Sequence, residues 1–153
     1  MDTKSKIILI SGPTASGKSK LAVKLAKKIN GEIINADSMQ VYKQFKILTA
    51  RPSKSDKKNI KHHLYGIVDV KTNFSTGHWL KLSIKKIQEI RGRKKIPILV
   101  GGTGLYFNSL VNGLVKIPNI PIKFRNKIRL MQKKYGQNKF YKKLLKIDPK
   151  VKD

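Results

Sequence analysis

The predicted fold follows from one stretch near the amino terminus, Ile7-Ile8-Leu9-Ile10-Ser11-Gly12-Pro13-Thr14-Ala15-Ser16-Gly17-Lys18-Ser19. A short apolar run that ends at a Gly-Pro turn is typical of a strand buried in a parallel sheet. After the turn, apolar residues recur at helical spacing, and Asn30-Gly31 predicts the end of that helix; they are Leu21, Ala22, Leu25, Ala26 and Ile29. The segment is therefore predicted to form a strand, a glycine-rich loop and a helix.

The loop between that strand and helix, residues 12–19, matches the pattern G-x-x-x-x-G-K-[ST]. Backbone N–H groups of such a P-loop converge on a phosphate, and the helix dipole favours its negative charge. Lys18 is expected to reach a terminal phosphate, and the Ser19 hydroxyl is expected to bind Mg²⁺. The candidate diphosphate- or nucleotide-binding residues are Gly12, Pro13, Thr14, Ala15, Ser16, Gly17, Lys18 and Ser19. The motif predicts a bound diphosphate or triphosphate but does not define the reaction.

Strands and helices are predicted to alternate along the chain as far as Gly113. Residues 32–35 and 96–100 are predicted strands, and residues 64–70 are a weaker one. The helix before residue 96 is expected to carry Leu80, Ile84 and Ile87 on one face. Alternation of this kind predicts an α/β fold, a P-loop NTPase-like, mostly parallel sheet flanked by helices.

Past Gly113 no further apolar strand is predicted, and Pro118 and Pro121 bracket a linker. Two amphipathic helices follow, with apolar stripes made of Phe124, Ile128, Met131 and Tyr135 and of Phe140, Tyr141, Leu144 and Leu145. We therefore expect an α/β core over residues 1–117 and the start of a basic helical domain over residues 118–153.

Charge dominates the composition, with 35 Lys and Arg against 8 Asp and Glu and a formal net charge of +27. Residues 116–153 alone carry 11 Lys and 2 Arg against 2 Asp. A basic field attracts phosphates without identifying the polymer, so a nucleic-acid partner is expected. The abundant Lys, Ile and Asn also fit an AT-rich genome. The chain contains no cysteine, and the apolar run at residues 7–10 is too short for a signal peptide or membrane span. We expect a soluble cytoplasmic protein.

A second candidate site follows the predicted strand at residues 32–35. The sequence there is Asn35-Ala36-Asp37-Ser38-Met39-Gln40-Val41-Tyr42-Lys43. Loops at the carboxyl ends of strands in an open parallel sheet face the ligand, so Asp37 is expected to face the 12–19 loop. Its carboxylate could bind Mg²⁺, remove a proton from a nucleophile, or cap the following turn. The residues alone leave these three roles open.

The motifs together resemble the bacterial tRNA dimethylallyltransferase family. The order and spacing match across essentially the whole chain, including Gly113-Leu114 and Asp148-Pro149. The segments that carry the resemblance are the 12–19 loop, Ala36-Asp37-Ser38-Met39-Gln40-Val41-Tyr42-Lys43, Thr49-Ala50-Arg51-Pro52, His62-His63-Leu64 and Pro97-Ile98-Leu99-Val100-Gly101-Gly102-Thr103-Gly104-Leu105-Tyr106-Phe107.

The resemblance implies a monomeric enzyme that transfers a dimethylallyl group from its diphosphate to an adenine N6 in the anticodon loop of tRNA, with Mg²⁺ as cofactor. Asp37 would be the general base and Thr103 would lie beside the reacting centre. The residues implied to contact tRNA are Asp37, Ser38, Met39, Gln40, Thr103 and Arg125. Family members are longer than this chain, so we expect activity only with a complementary half.

Several aromatic and histidine residues and two alternative functions also follow from the sequence. The aromatic residues Tyr42, Tyr106 and Phe107 could line a substrate channel, although core positions are favoured. His62 and His63 lie at no metal-ligand spacing, so a structural role is favoured. His78 and Trp79 depart from the family's pattern. The alternative functions are a small-molecule P-loop kinase and a non-catalytic basic RNA-binding remnant.

Overall fold

A computed structural model of the chain describes residues 6–115, 118 and 120–152. Its strands are β1 (Ile8–Ser11), β2 (Gly31–Asn35), β3 (His62–His63) and β4 (Ile96–Gly101). Its helices are α1 (Lys18–Ile29), α2 (Lys54–Lys57), α3 (Thr76–Gly92), α4 (Gly104–Asn112), α5 (Ile122–Tyr135) and α6 (Gln137–Ile147), followed by a 3₁₀ turn at Pro149–Lys152.

The four strands form one parallel sheet in the order β1-β4-β2-β3. Val100 of β4 pairs with Ile10 on one side and with Asn35 on the other. The carboxyl ends of β1, β4 and β2 therefore lie side by side. This arrangement confirms the predicted α/β class and brings the loops after three different strands to one edge of the sheet.

Helices pack on both faces of the central strands, so β2 and β4 are buried along almost their whole length. The prediction that the first strand is buried is wrong in part, because β1 lies at the edge of the sheet and Leu9 is 40% exposed. Ile33 and Ile98 face α1 and belong to a cluster with buried Ala22 and Ala26. The neighbouring residues of the same strands point the other way, into a cluster that also contains residues of α3 and α4; its buried members are Ile34, Ala36, Val41, Leu64, Val68, Trp79, Ile87, Ile90, Leu99 and Tyr106. Consecutive β2 residues thus fill two separate cores.

The predicted strand at residues 64–70 is wrong. The third strand is His62–His63, and beyond it only an isolated parallel bridge joins Tyr42 to Val68. Leu64 and Gly66 both have positive φ, 63° and 59°, which an extended strand does not allow. The chain turns there, and the N–H of Ile67 donates to the carbonyl of Val41 at 2.8 Å instead.

The predicted apolar face of α3 is wrong in part. Ile87 is buried, but Ile84 is 43% exposed. The buried stripe consists of Trp79, Ser83, Ile87 and Ile90. The helix is rotated relative to the expected face because Trp79, fully buried, needs more apolar contact than Ile84 does. The polar Ser83 comes into the core with it.

The chain divides into two compact units, residues 1–114 and 115–153. In the second unit, α5 and α6 meet at Gly136, whose φ is +74°, and the Lys143 ammonium lies 3.8 Å from the centre of the Tyr135 ring. The expected boundary at Ile117 lies outside the described residues. Among the helices of the described residues, none is long and apolar enough to span a bilayer.

Candidate active site

The loops after β1, β2 and β4 converge at the carboxyl edge of the sheet. A methyl group added to Gly102 would lie 3.4 Å from the carbonyl oxygen of Gly12 and 4.0 Å from Asp37 Oδ2. A methyl group on Gly101 would collide with the Ala36 carbonyl. Glycine is therefore needed at position 101 for close approach of the backbones, and the contacts join residues far apart in sequence.

Two residues of the 12–19 loop have left-handed backbone conformations. Ala15 and Gly17 have positive φ, 63° and 82°, and Gly17 directly precedes α1. The N–H groups that open α1, those of Lys18, Ser19 and Lys20, have no acceptor among the described residues. Unpaired N–H groups at a helix start attract anions. The Lys18 ammonium donates to the Pro13 carbonyl, which leaves two of its three donors for a ligand.

A cavity of about 530 Å³ lies between this loop and the end of β2. It is lined by residues 14–20, by the turn at residues 48–50, and by Asp37, Met39, Gln40, Tyr65, Val100 and Gly101. Asp37 is the one carboxylate among the described residues that line it. The predicted loop and the predicted acid thus share one cavity, whereas Gly12, Pro13, Ser38 and Thr103 are adjacent but do not line it.

The two oxygens of Asp37 have different surroundings. Oδ1 accepts hydrogen bonds from the N–H of Met39 at 2.9 Å and of Gln40 at 3.4 Å, so it caps the turn that follows β2. Oδ2 accepts no hydrogen bond from the described residues and lies close to Gly102. The capping role considered from the sequence therefore occupies one oxygen and leaves the other for chemistry.

Asn35 and Trp79 hold Asp37 in place. The Asn35 side chain accepts from the Asp37 N–H at 3.0 Å and donates to the Asp37 carbonyl at 2.9 Å. Trp79 is fully buried, donates through Nε1 to the Asn35 carbonyl at 2.8 Å, and stacks on Tyr106 with ring centroids 4.2 Å apart. Sequence reasoning missed this support. The signal was a lone tryptophan on a helix face, because a buried indole needs an acceptor for its N–H.

Thr103 and Ser38 connect the ends of β4 and β2. Thr103 Oγ1 accepts from the Ser38 N–H at 2.9 Å and donates to the Ser38 hydroxyl at 3.2 Å. Gln40 is similarly engaged, since its side-chain amide donates to the Thr49 carbonyl at 2.8 Å. Met39, by contrast, is 48% exposed and lines the cavity. Of the residues implied to contact tRNA, Arg125 is exposed on α5 in the second unit.

The aromatic residues divide between core and cavity. Tyr106 is 4% exposed and belongs to the core, and Tyr42 and Phe107 pack against the same cluster. Tyr65, which sequence reasoning did not select, lines the cavity. Burial, and secondarily the negative charge of Asp37, raises the pKa of Tyr65 well above its usual range, so its phenol keeps its proton.

His63 has a structural role near the start of β2. Its Nε2 lies 2.7 Å from Glu32 Oε2, and the fully buried Glu32 carboxylate is also paired with Arg93 at 2.7 Å and Lys95 at 3.3 Å. Burial alone would raise the pKa of Glu32, but hydrogen bonds from Arg93 and His63 outweigh it and lower the pKa to about 2. Among the described residues there is no group of His, Cys, Asp and Glu that could hold a metal ion.

The fold and the cavity define an α/β protein with a P-loop-like fold and an acidic residue in the same cavity as the loop. The chain belongs to the IPP transferase family, whose model matches residues 40–153. It is 77% identical to the tRNA dimethylallyltransferase of Pelagibacter ubique over all of this chain and 49% of the relative. It is 52% identical to that of Rickettsia massiliae over 94% of this chain and 39% of the relative.

Solved structures agree with these relatives. A tRNA isopentenylpyrophosphate transferase from Bacillus halodurans matches with a TM-score of 0.72 and 39% identity over 95% of this chain and 48% of that one. A eukaryotic dimethylallyltransferase acting on tRNA matches with a TM-score of 0.80 and 34% identity over 95% of this chain and 36% of that one. The chain spans about half the length, or less, of the proteins it matches.

Proposed function

We propose that this chain carries the donor-binding and base-binding part of a tRNA prenyltransferase. The reaction transfers a dimethylallyl group from dimethylallyl diphosphate to N6 of the adenosine next to the anticodon and releases diphosphate. The relatives are named as dimethylallyltransferases that act on tRNA, which supports the transferred group and the polymer. We place the protein in the cytoplasm and take its full-length form to be a monomer.

One observation carries the proposal: Asp37 and residues 14–19 of the loop line the same cavity. The loop holds the diphosphate as a leaving group, through Lys18 and through the N–H groups that open α1, which have no acceptor among the described residues. A kinase uses the same loop to hold a nucleotide whose phosphate is transferred. Family membership favours the prenyltransferase over a kinase and over a non-catalytic remnant.

Ser19 is the residue that would bind Mg²⁺. Its hydroxyl lines the cavity and makes no hydrogen bond with the described residues. Mg²⁺ in proteins keeps several waters and is held by few protein groups together with substrate phosphates, so one hydroxyl beside a diphosphate site fits it. When bound, the ion neutralises charge on the leaving diphosphate.

Asp37 accepts the proton from the adenine amino group through Oδ2. That amino group is a poor nucleophile whose proton becomes acidic only as the new C–N bond forms, so a carboxylate within hydrogen-bond reach is the suitable catalyst. The capping hydrogen bond to Oδ1 fixes the carboxylate, and the two hydrogen bonds between the Asn35 side chain and the Asp37 backbone fix the residue that carries it.

The residues after Asp37 divide into contact and positioning roles. Met39 contacts the base, since it is exposed in the cavity. Ser38, Gln40 and Thr103 act mainly by positioning, because their side chains are hydrogen bonded within the protein. Arg125 contacts the tRNA backbone.

To test the proposal, residues 1–153 are fused to the second half of the Pelagibacter ubique relative, which gives the joined protein. Transfer of a labelled dimethylallyl group to an anticodon stem-loop RNA is then measured with adenosine or guanosine at the target position. We expect label on the adenosine RNA alone, dependent on Mg²⁺. Transfer of phosphate from ATP to a small molecule, without labelled RNA, would support a kinase instead.

A further inference from the structure

Two large aliphatic side chains stand exposed at the rim of the cavity. Ile47 is 93% exposed and Leu48 is 80% exposed, and Leu48 also lines the cavity. Adjacent exposed aliphatic residues cost free energy in water, so a pair beside a binding site indicates a surface that is covered in the working state.

These side chains lie on a closed turn, which we call the rim turn, made of residues 45–51. The Ala50 N–H donates to the Ile47 carbonyl at 3.0 Å, and the Arg51 N–H donates to the Lys46 carbonyl at 3.0 Å. The Thr49 N–H donates to the Phe45 carbonyl at 3.2 Å. The exposed pair is therefore carried on a hydrogen-bonded turn.

The rim turn is also fastened to the site. The Gln40 amide donates to the Thr49 carbonyl at 2.8 Å, and Gln40 itself is bonded to Asp37 Oδ1 through its N–H. Arg51 donates to the Tyr42 carbonyl at 3.2 Å and fills the space beside Gly66, where any side chain would collide with it. The position of Ile47 and Leu48 is thus tied to the position of Asp37.

The charges around the pair suit RNA. Lys46 lies next to Ile47 on the same turn and has no acidic partner among the described residues, and Lys43 is exposed just before the turn. The described cavity wall adds Lys18 and Lys20. Cations around an apolar tip match a nucleic-acid loop, where phosphates surround unstacked bases.

We propose that Ile47 and Leu48 form an apolar wedge that packs against the bases flanking the target adenosine and fills the gap left when that base turns into the cavity. The inference rests on the proposed function, because it needs an RNA substrate whose base reaches Asp37. Taking a base out of its stack costs free energy, and apolar side chains inserted beside the remaining bases offset part of that cost. The wedge therefore acts on base extrusion and leaves donor binding alone.

The experiment uses the 153-residue chain and an anticodon stem-loop RNA with 2-aminopurine at the target position. The fluorescence of 2-aminopurine rises when the base leaves its stack, and no chemical step is needed. The double variant Ile47→Ser/Leu48→Ser is compared with the unchanged chain. The matched control is Val111→Ser, which removes a 66% exposed aliphatic residue that does not line the cavity.

We expect the double variant to lower the fluorescence rise at saturating protein and to weaken RNA binding about tenfold. The control variant should match the unchanged chain in fluorescence rise and in RNA binding. Pyrophosphate binding should be the same for all three proteins. An unaltered fluorescence rise in the double variant would overturn the wedge while leaving the proposed function in place.

Three other results would contradict the role proposed for Ile47 and Leu48. Weaker binding of dimethylallyl diphosphate by the double variant, with normal fluorescence, would mean that Leu48 contacts the isoprenoid group, which overturns the wedge. If the unchanged chain binds pyrophosphate but gives no fluorescence rise, base extrusion by this chain is contradicted and the wedge falls with it. If it binds neither pyrophosphate nor RNA, the proposed function itself fails.

Discussion

The two ends of β2 carry acidic residues with opposite surroundings. Near the start of the strand, Glu32 is fully buried, and its carboxylate is paired with His63, Arg93 and Lys95. Just beyond the end, Asp37 is half-buried and one of its oxygens has no partner among the described residues. A fully paired carboxylate stabilises a fold, whereas a carboxylate with a free oxygen in a cavity is available for chemistry. Position on the strand therefore separates a structural acid from a candidate catalytic one.

The largest effect is expected for Asp37, just beyond the end of β2. In the joined protein, Asp37→Asn preserves the capping oxygen but removes basicity, so turnover should fall by about 10²–10⁴-fold. Single-turnover rates at saturating tRNA and donor, across Mg²⁺ concentrations, measure this. Asp69→Asn, an exposed aspartate away from the cavity, is the control. Partial rescue by extra Mg²⁺ would show that Asp37 binds the ion instead, and a near-normal rate would mean that it only caps the turn.

The second effect is expected at the other end of β2. Glu32→Gln leaves Arg93 and Lys95 without their buried partner, so the free energy of unfolding at pH 7 should fall by about 3–5 kcal/mol. Denaturant unfolding measures this. Glu89→Gln, which breaks the partly exposed pair with Lys86, should cost about 0.5 kcal/mol or less. Equal effects of the two variants would contradict the structural role given to Glu32.

The Glu32 contribution should also depend on pH. Its pKa is about 2 in the folded chain against an ordinary value of 4.5, so the folded state binds fewer protons between these values. Stability from this group is therefore complete above about pH 4.5 and is lost as the pH falls towards 2. The difference in unfolding free energy between the unchanged chain and Glu32→Gln should shrink over that window.

The third prediction tests Lys18, which lines the same cavity as Asp37. Lys18→Ala should weaken pyrophosphate binding by about 1.5–3 kcal/mol, the usual value of a hydrogen bond to a charged group. Calorimetry on the 153-residue chain measures it. Lys27→Ala, on the same helix but outside this cavity, separates a specific contact from the general basic field. Matching losses in both variants would mean that the loop makes no specific contact.

A smaller effect is expected for Trp79, which supports Asp37 through Asn35. Trp79→Phe preserves the ring stack on Tyr106 but leaves the Asn35 carbonyl without its donor, which should cost about 1 kcal/mol of stability. Turnover of the joined protein should fall by more than this loss of folded protein explains. Turnover that follows the folded fraction would make Trp79 a core residue only.

The smallest effect is expected away from both ends of β2. Arg125→Ala should weaken binding of all tRNAs alike and lower the salt dependence by about one unit of slope, as for one lost phosphate contact. Binding titrations at several salt concentrations measure this. A loss confined to one tRNA species would mean that Arg125 recognises a base.

Local sequence signals predicted much of the fold. The helix after the 12–19 loop ends at Asn30, as Asn30-Gly31 predicted, because Asn30 takes up the left-handed conformation that stops a helix. The apolar runs of β2 and β4 were recognisable because a parallel sheet buries both faces of its central strands, whereas β1 lies at the edge and leaves Leu9 exposed. The prediction of a strand at residues 64–70 was wrong because the positive φ of Leu64 depends on contacts with the segment around Val41, not on the residue types nearby in sequence.

The sequence by itself missed α2 and β3, but it determined the 12–19 loop motif, the strands β1, β2 and β4, the position of the acid after β2 and the family. Each depends on residues close together in the chain or on a motif. Tertiary structure alone decided that Asp37 Oδ2 has no hydrogen-bond donor among the described residues, that Trp79 supports Asp37 through Asn35, 44 residues from the tryptophan, and that Ile47 and Leu48 stay exposed at the rim. These features depend on packing between distant segments, which local periodicity does not encode.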